Sequence, residues 1–238
     1  MLTYLSATRH PWACLAFLLP LLVAYEGGVV WFGGPDGDAL RNGADVWFRA
    51  GLQRYGVAQM WAAPLVVVAV LLLRSWANWG SRPKSVLAVT FGMAVESLVF
   101  AVGLWVLARN FGPLVREWGV PASVQFQHPA AGQIVTFIGA GIYEEVLFRL
   151  GLFSVLCFVL RLVLLPKPLA VGIAAVAGSL LFAAAHHVGE AGEPLDAVRF
   201  LFRATAGLYF TALYVFRGFG VAVGAHAGYD ILVGTAVG

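Results

Sequence analysis

Three short stretches of this chain set acid, base and imidazole groups at helical spacing inside apolar sequence. In Gly141-Ile-Tyr-Glu144-Glu145-Val-Leu-Phe-Arg149, Glu145 and Arg149 are four apart, share one helical face and can neutralise each other. Glu144 is rotated about 100° away and has no local partner, which is the situation a general base requires. A buried structural Glu–Arg cluster is the plainer reading of that spacing. In Ser179-Leu-Leu-Phe182-Ala-Ala-Ala-His186-His187, Ala183 to Ala185 let a second helix approach closely. The two imidazoles point about 100° apart, so one of them faces the bundle interior; a hydrogen-bonded histidine at a span end is the plainer reading. In His226-Ala-Gly-Tyr-Asp230 the polar groups are again four apart. Asp230 can hydrogen-bond the ring and set its tautomer, or the pair can simply join helices.

Two chemistries use this set. Glu144, His186 and His226 would make a three-ligand zinc site with an open position. Without metal, Glu144 activates a water while His226 and its neighbour stabilise the oxyanion formed at an attacked carbonyl. The helical HExxH zinc signature is absent, as are a Gly-rich nucleotide loop and a G-x-S-x-G elbow. Ser154 and Cys157 lie in apolar helix without an evident base, so a covalent nucleophile has no support.

The elements that position these groups follow from composition. The chain has 238 residues, 61% hydrophobic and 11% charged, against about 45–50% and about 25% in soluble domains. Mean hydropathy is +0.84. These figures exclude a soluble globule, a disordered chain, collagen and a coiled coil. Cys14 and Cys157 both sit in apolar runs, which excludes a disulfide scaffold. The fold class is all-α, a polytopic transmembrane helical bundle. The net charge of +3 comes from basic residues scattered singly between apolar runs, as loop charges that set topology are, and not from a nucleic-acid face. An ionisable group at the bilayer centre costs on the order of 2.5–3.5 kcal/mol, so the three clusters above need a reason to be there.

A span needs about 20 apolar residues. The first is Pro11 to Phe32, too long for a cleavable signal core. Residues 33–57 read as an interfacial amphipathic piece, with Val46, Trp47, Phe48 and Leu52 against Arg49 and Arg54. Further spans run from Ala58 to Leu73 and from Ser85 to Ala108. The apolar stretch 130–165 divides near Arg149–Gly151 into two spans, or forms one tilted helix. Pro168 to Val188, Val198 to Phe216 and Phe219 onward complete eight spans, or seven with the undivided helix. Residues 1–129 thus form N-terminal transmembrane helices and 130–238 the motif-bearing ones. Gly220, Gly224 and Gly228 make a smooth packing face, and Glu26 and Glu96 read as structural. Arg9, Arg74, Arg82 and Lys84 set a cytoplasmic side; with eight spans both termini and the His186 end lie there.

The three motifs, Glu144-Glu145-Val-Leu-Phe-Arg149, Phe182-Ala-Ala-Ala-His186 and His226-Ala-Gly-Tyr-Asp230, resemble in order and spacing the EExxxR, FxxxH and HxxxN/D pattern of the CPBP (CAAX-protease and bacteriocin-processing) intramembrane endopeptidases. The resemblance covers Gly139 to Asp230. It implies a glutamic-type intramembrane protease that needs no metal cofactor, zinc remaining the alternative. Glu144 would be the base, with His186 on the water and His226 and Asp230 on the oxyanion side. Glu145, Arg149 and Phe182 would support them. Where some relatives carry Asn, Asp230 cannot donate unless protonated, and is assigned to orienting His226. The implied partners are the lipid bilayer and a membrane-anchored protein or peptide substrate, in a bacterial inner membrane; a myxosortase-like sorting peptidase would suit a short stand-alone chain. A non-catalytic scaffold or immunity protein on the same fold is the main competitor. A proton-coupled transporter is another, though inverted repeats are not evident. Oligomeric state is left unassigned.

Overall fold

A computed structural model describes residues 3–33, 39–116, 131–189 and 192–235. All regular structure among them is helical, as the composition requires. The elements are α1 (Tyr4–Ala7), α2 (Pro11–Phe32), α3 (Gly43–Arg54), α4 (Ala62–Ala77), α5 (Val86–Arg116), α6 (Ala131–Glu145), α7 (Ser154–Leu162), α8 (Lys167–Ala185), α9 (Ala197–Arg217) and α10 (Phe219–Thr235). Residues Pro11–Phe32, Val86–Gly112 and Lys167–Ala185 are long and apolar enough to cross a membrane, and Ala62–Ala77 and Phe219–Gly234 are shorter apolar helices. The boundary expected at 129/130 lies outside the described residues.

Local chemistry sets where the helices start and stop. Pro11 opens α2 behind His10, whose Nδ1 accepts from the Trp12 N–H at 3.2 Å. Asp196 caps α9 by accepting from the Arg199 N–H at 2.8 Å. Gly218 ends α9 at φ +98°, where its backbone passes so close to Thr8 and Arg9 that a Cβ would lie 2.8 Å from the Thr8 carbonyl oxygen. This turn launches α10, the helix that carries His226.

The join expected near Arg149–Gly151 does not exist. A π-helical segment, Val146–Phe153, leads from α6 into α7 without a break, so residues 131–162 are one helical run, as the seven-span alternative requires. Packing requires the same. Gly220, Gly224 and Gly228 of α10 meet Met93, Ser97 and Ala101 of α5 in that order, so α5 and α10 run parallel; eight spans would make them antiparallel. Arg9, Arg74 and Gly218 line one notch at one end of the bundle. His186, tied to the segment before α9 by a Glu193 N–H to His186 carbonyl bond of 3.0 Å, lies at the other end. The His186 end and the Arg9–Arg74 end are therefore on opposite sides, the reverse of the eight-span parity.

Helix α3 has an exposed apolar side, as an interfacial piece would, and also a buried charged one. Its inward face carries Arg41 just ahead of it, then Ala44, Asp45, Phe48 and Arg49, while Val46 and Trp47 are exposed. The charged face turns inward because it meets charge there: Glu26 of α2 pairs with Arg49 at 2.8 Å and with Arg41 at 3.3 Å. Asp45 pairs with the same two arginines at 2.8 and 2.7 Å. Two carboxylates and two guanidiniums cancel, and Tyr25 and Tyr143 add hydroxyl donors at 2.8 and 2.9 Å.

A seven-crossing path makes a topological prediction. With Cys14 and Cys157 replaced, single cysteines introduced as Arg82→Cys and Lys167→Cys should label from one side of the membrane, and Val188→Cys from the other. Labelling of Arg82→Cys and Val188→Cys from the same side would restore the eight-span path.

Candidate active site

The site forms where α6, α8, α9 and α10 converge. Two close approaches allow it. Gly141 lets α6 touch the Ala227 backbone of α10, where a Cβ would stand 2.7 Å from the Ala227 nitrogen. Gly207 lets α9 meet α8, where a Cβ would stand 3.0 Å from the Ser179 Cα.

Glu145 and Arg149 are both fully buried and ion-paired at 2.9 Å, the pairing their spacing predicts. Arg149 also donates from Nη2 to the Gly207 carbonyl at 3.2 Å. Its guanidinium lies over the Phe182 ring at 4.5 Å and near the Phe210 ring at 5.4 Å. Phe182 in turn packs edge-on against His186, with ring centres 4.9 Å apart. The first position of Phe182-Ala-Ala-Ala-His186 is thus a spacer between the buried cation and the imidazole.

Both histidines have one ring nitrogen committed to the protein. The Nδ1 of His186 lies 2.8 Å from the Phe182 carbonyl oxygen, so it carries the proton and Nε2 is left as an acceptor. The Nδ1 of His226 lies 2.8 Å from Glu145 Oε1, so Nδ1–H donates to that carboxylate. The His226 ring is stacked on Phe210, with ring centres 4.4 Å apart and planes at 12°. The expected orienting bond from Asp230 is not formed. Asp230 Oδ2 stands 3.6 Å from Nε2, on the cavity side of the ring, while Glu145 on the neighbouring helix takes the orienting position.

The free nitrogens converge on Glu144. Its Oε2 lies 3.8 Å from His186 Nε2 and 3.6 Å from His226 Nε2, and this buried oxygen has no hydrogen-bond partner. Such separations are too long for direct bonds and suit a bridging water. Glu144, Phe182, His186, Phe210, His226 and Asp230 line a cavity of about 480 Å³ that reaches Glu193, Arg199 and Arg203. Arg203 Nη1 is buried there without a hydrogen-bond partner. His187, turned away from the cavity, is held by the Glu193 carbonyl at 2.9 Å and stacked near Phe200.

Every site residue expected from the sequence is therefore in or against one cavity. Among the described residues, no group of three or more His, Cys, Asp or Glu has the arrangement of a metal site. Glu26 and Glu96 lie elsewhere. Glu26 belongs to the α3 ion pairs, and Glu96 accepts two bonds of 2.6 Å from Arg217 and one of 3.1 Å from Tyr4. Sequence reasoning missed Phe210, an ordinary apolar residue on α9. It also missed Asn42, whose Nδ2 donates to Glu144 Oε1 at 3.4 Å from 102 residues away.

Residues 126–232 match the family described as type II CAAX prenyl endopeptidase Rce1-like. That stretch holds all three motifs, and it bears out the resemblance to the CPBP family, a family of membrane-embedded proteases. No curated protein and no solved structure matches the chain significantly.

Two predictions follow from the site's electrostatics. Arg149→Met leaves the buried Glu145 with His226 as its one remaining partner in place of two, and should destabilise the fold by about 3 kcal/mol. The double variant Glu145→Gln/Arg149→Met should recover part of that loss. Unfolding titrations in mixed micelles measure both. At the cavity mouth, the hydrogen bond from Arg203, with burial opposing it, holds the Glu193 carboxyl below its usual range. Glu193 receives 2.8 Å and 3.3 Å bonds from Arg203 and Arg199. A depressed folded value means the stabilisation is full above the ordinary carboxylate value and is lost as pH falls through the lower one. Hydrogen exchange of residues 192–196 should rise only in that acid window, and Glu193→Gln should remove the pH dependence.

Proposed function

We propose that the chain is a glutamic-type intramembrane endopeptidase that hydrolyses a peptide bond near one end of a membrane-anchored protein or peptide, in a bacterial cytoplasmic membrane. The observation that carries this reading is the buried Oε2 of Glu144, without a partner and within 4 Å of two imidazole nitrogens in a chamber large enough for an extended backbone. Sequence family, membrane location and cavity chemistry all support it.

The residues divide the work as follows. A water between Glu144 Oε2 and His186 Nε2 donates a hydrogen to each, because both are acceptors. On attack at the scissile carbonyl carbon, the water's proton passes to Glu144 and the carbonyl oxygen takes up negative charge. His226, held by Glu145 through Nδ1–H and protonated at Nε2, donates that second hydrogen to the oxyanion. Asp230 balances the imidazolium from 3.6 Å away. Collapse of the tetrahedral species breaks the C–N bond, and Glu144 returns its proton to the leaving amine. No step in this sequence requires a metal ion.

Terminal proteomics of native membranes tests the reading. Chain ends present in wild type should vanish in a Glu144→Gln strain that inserts the protein at equal abundance. Rates on an identified substrate should fall by about 10²–10⁴-fold, the usual contribution of a positioned base. Chelators should leave the wild-type rate unchanged. Identical termini in the two strains would favour a scaffold, and loss of activity to a chelator restored by zinc would favour the metal alternative.

A further inference from the structure

We propose that Asn42, at the start of α3, is a positioning residue that holds the Glu144 carboxyl group in its working orientation. The inference rests on the proposed role of Glu144.

The terminal torsion of a glutamate is broad and nearly two-fold. A base whose Oε2 must face a water shared with His186 therefore needs its other oxygen held. Asn42 Nδ2 is the hydrogen-bond donor found on Oε1, at 3.4 Å. The amide cannot serve in the flipped sense. Its Oδ1 accepts from the Asp45 N–H at 3.0 Å as the cap of α3, so a flip would set two donors together at Asp45 and two acceptors together at Glu144. Both neighbours select the same orientation, and the amide joins a helix end to the carboxylate.

That helix end is itself fixed. Asp45, fully buried, accepts from Tyr25, Arg41 and Arg49 at 2.7 to 2.8 Å. Glu26 on α2 receives Arg49 at 2.8 Å and the hydroxyl of Tyr143 at 2.9 Å. Tyr143 directly precedes Glu144, so the same charge-balanced box grips α6 on one side of the base and supplies the amide that grips the base itself. Because the box lies outside the cavity, it sets the direction of Oε2 without occupying the water's place.

Capping and positioning can be separated by substitution. Ser caps helices about as well as Asn, so Asn42→Ser should keep α3 docked and thermal stability near wild type, whereas Asn42→Asp keeps the cap but sets a buried carboxylate beside Glu144 and should lose some stability. Serine cannot span the distance to Oε1, and aspartate presents a second acceptor to it. On a substrate identified by terminal proteomics, Asn42→Ser should lower kcat about tenfold, the scale of one charge-assisted hydrogen bond, with KM unchanged, and Asn42→Asp should lower kcat further. A second measurement does not depend on protease activity. The Glu144 carboxylate band, assigned in infrared difference spectra of purified protein by its loss in Glu144→Gln, should move in both variants. Wild-type kcat and an unmoved band in both variants would reduce Asn42 to a helix cap and overturn the proposal. A moved band in a protein that cleaves nothing would uphold the contact and sink the protease reading instead.

Discussion

The site depends on how one buried carboxylate is neutralised. Glu145 has no access to solvent, and an uncompensated charge in such a place would shift its protonation or unfold the site. A single oxygen, Oε1, takes both the Arg149 cation at 2.9 Å and the His226 Nδ1–H at 2.8 Å. The guanidinium then needs its own partners, which it finds in the Gly207 carbonyl and the faces of Phe182 and Phe210. Four helical segments are thereby pinned around one charge: α6 and its π-helical continuation, α8, α9 and α10. The spacing of these helices around the cavity follows from that knot.

The adjacent glutamates show what the knot accomplishes. They are neighbours in sequence, chemically identical, and about 100° apart around the helix. Glu145 is spent on structure, and both its strong partners come from within the protein. Glu144 is left facing a cavity, with Oε2 lacking any hydrogen-bond partner. Neutralising the first charge also aligns His226, and the nitrogen that Glu145 does not hold is the one aimed at Glu144. Orientation of the imidazole and availability of the proposed base both follow from the same ion pair.

Much of this arrangement was legible in the sequence because it is local. The four-residue spacings of Glu145–Arg149, Phe182–His186 and His226–Asp230 fix which groups share a face, and the glycine stripe of α10 marks where a helix can pack against α5. The features that were not legible depend on tertiary geometry. No helical spacing pairs His226 with Glu145, 81 residues away, so the nearer Asp230 looked like its partner. Nothing local to α3 shows that Arg41, Asp45 and Arg49 are turned inward; that depends on Glu26, on another helix, which offers the two arginines a buried counter-charge. The charged run around Arg149 looked like a break between spans. A π-helical segment absorbs it instead, with the Ser154 hydroxyl donating to the Arg149 carbonyl at 3.2 Å.

Seen together, the two charge clusters explain why the N-terminal half of the bundle is needed at all. The Glu145 knot secures the C-terminal helices to one another, but it leaves the Glu144 side chain free to rotate and α6 held from one side only. The box of Glu26, Arg41, Asp45 and Arg49 holds α6 from the other side through Tyr143. Its two carboxylates and two guanidiniums sum to zero, so it places no net charge beside the cavity while tying α2, α3 and α6 together. The proposed reaction, which needs one oxygen aimed at one water, is served by clamps on either side of Glu144 that leave its Oε2 without a hydrogen-bond partner.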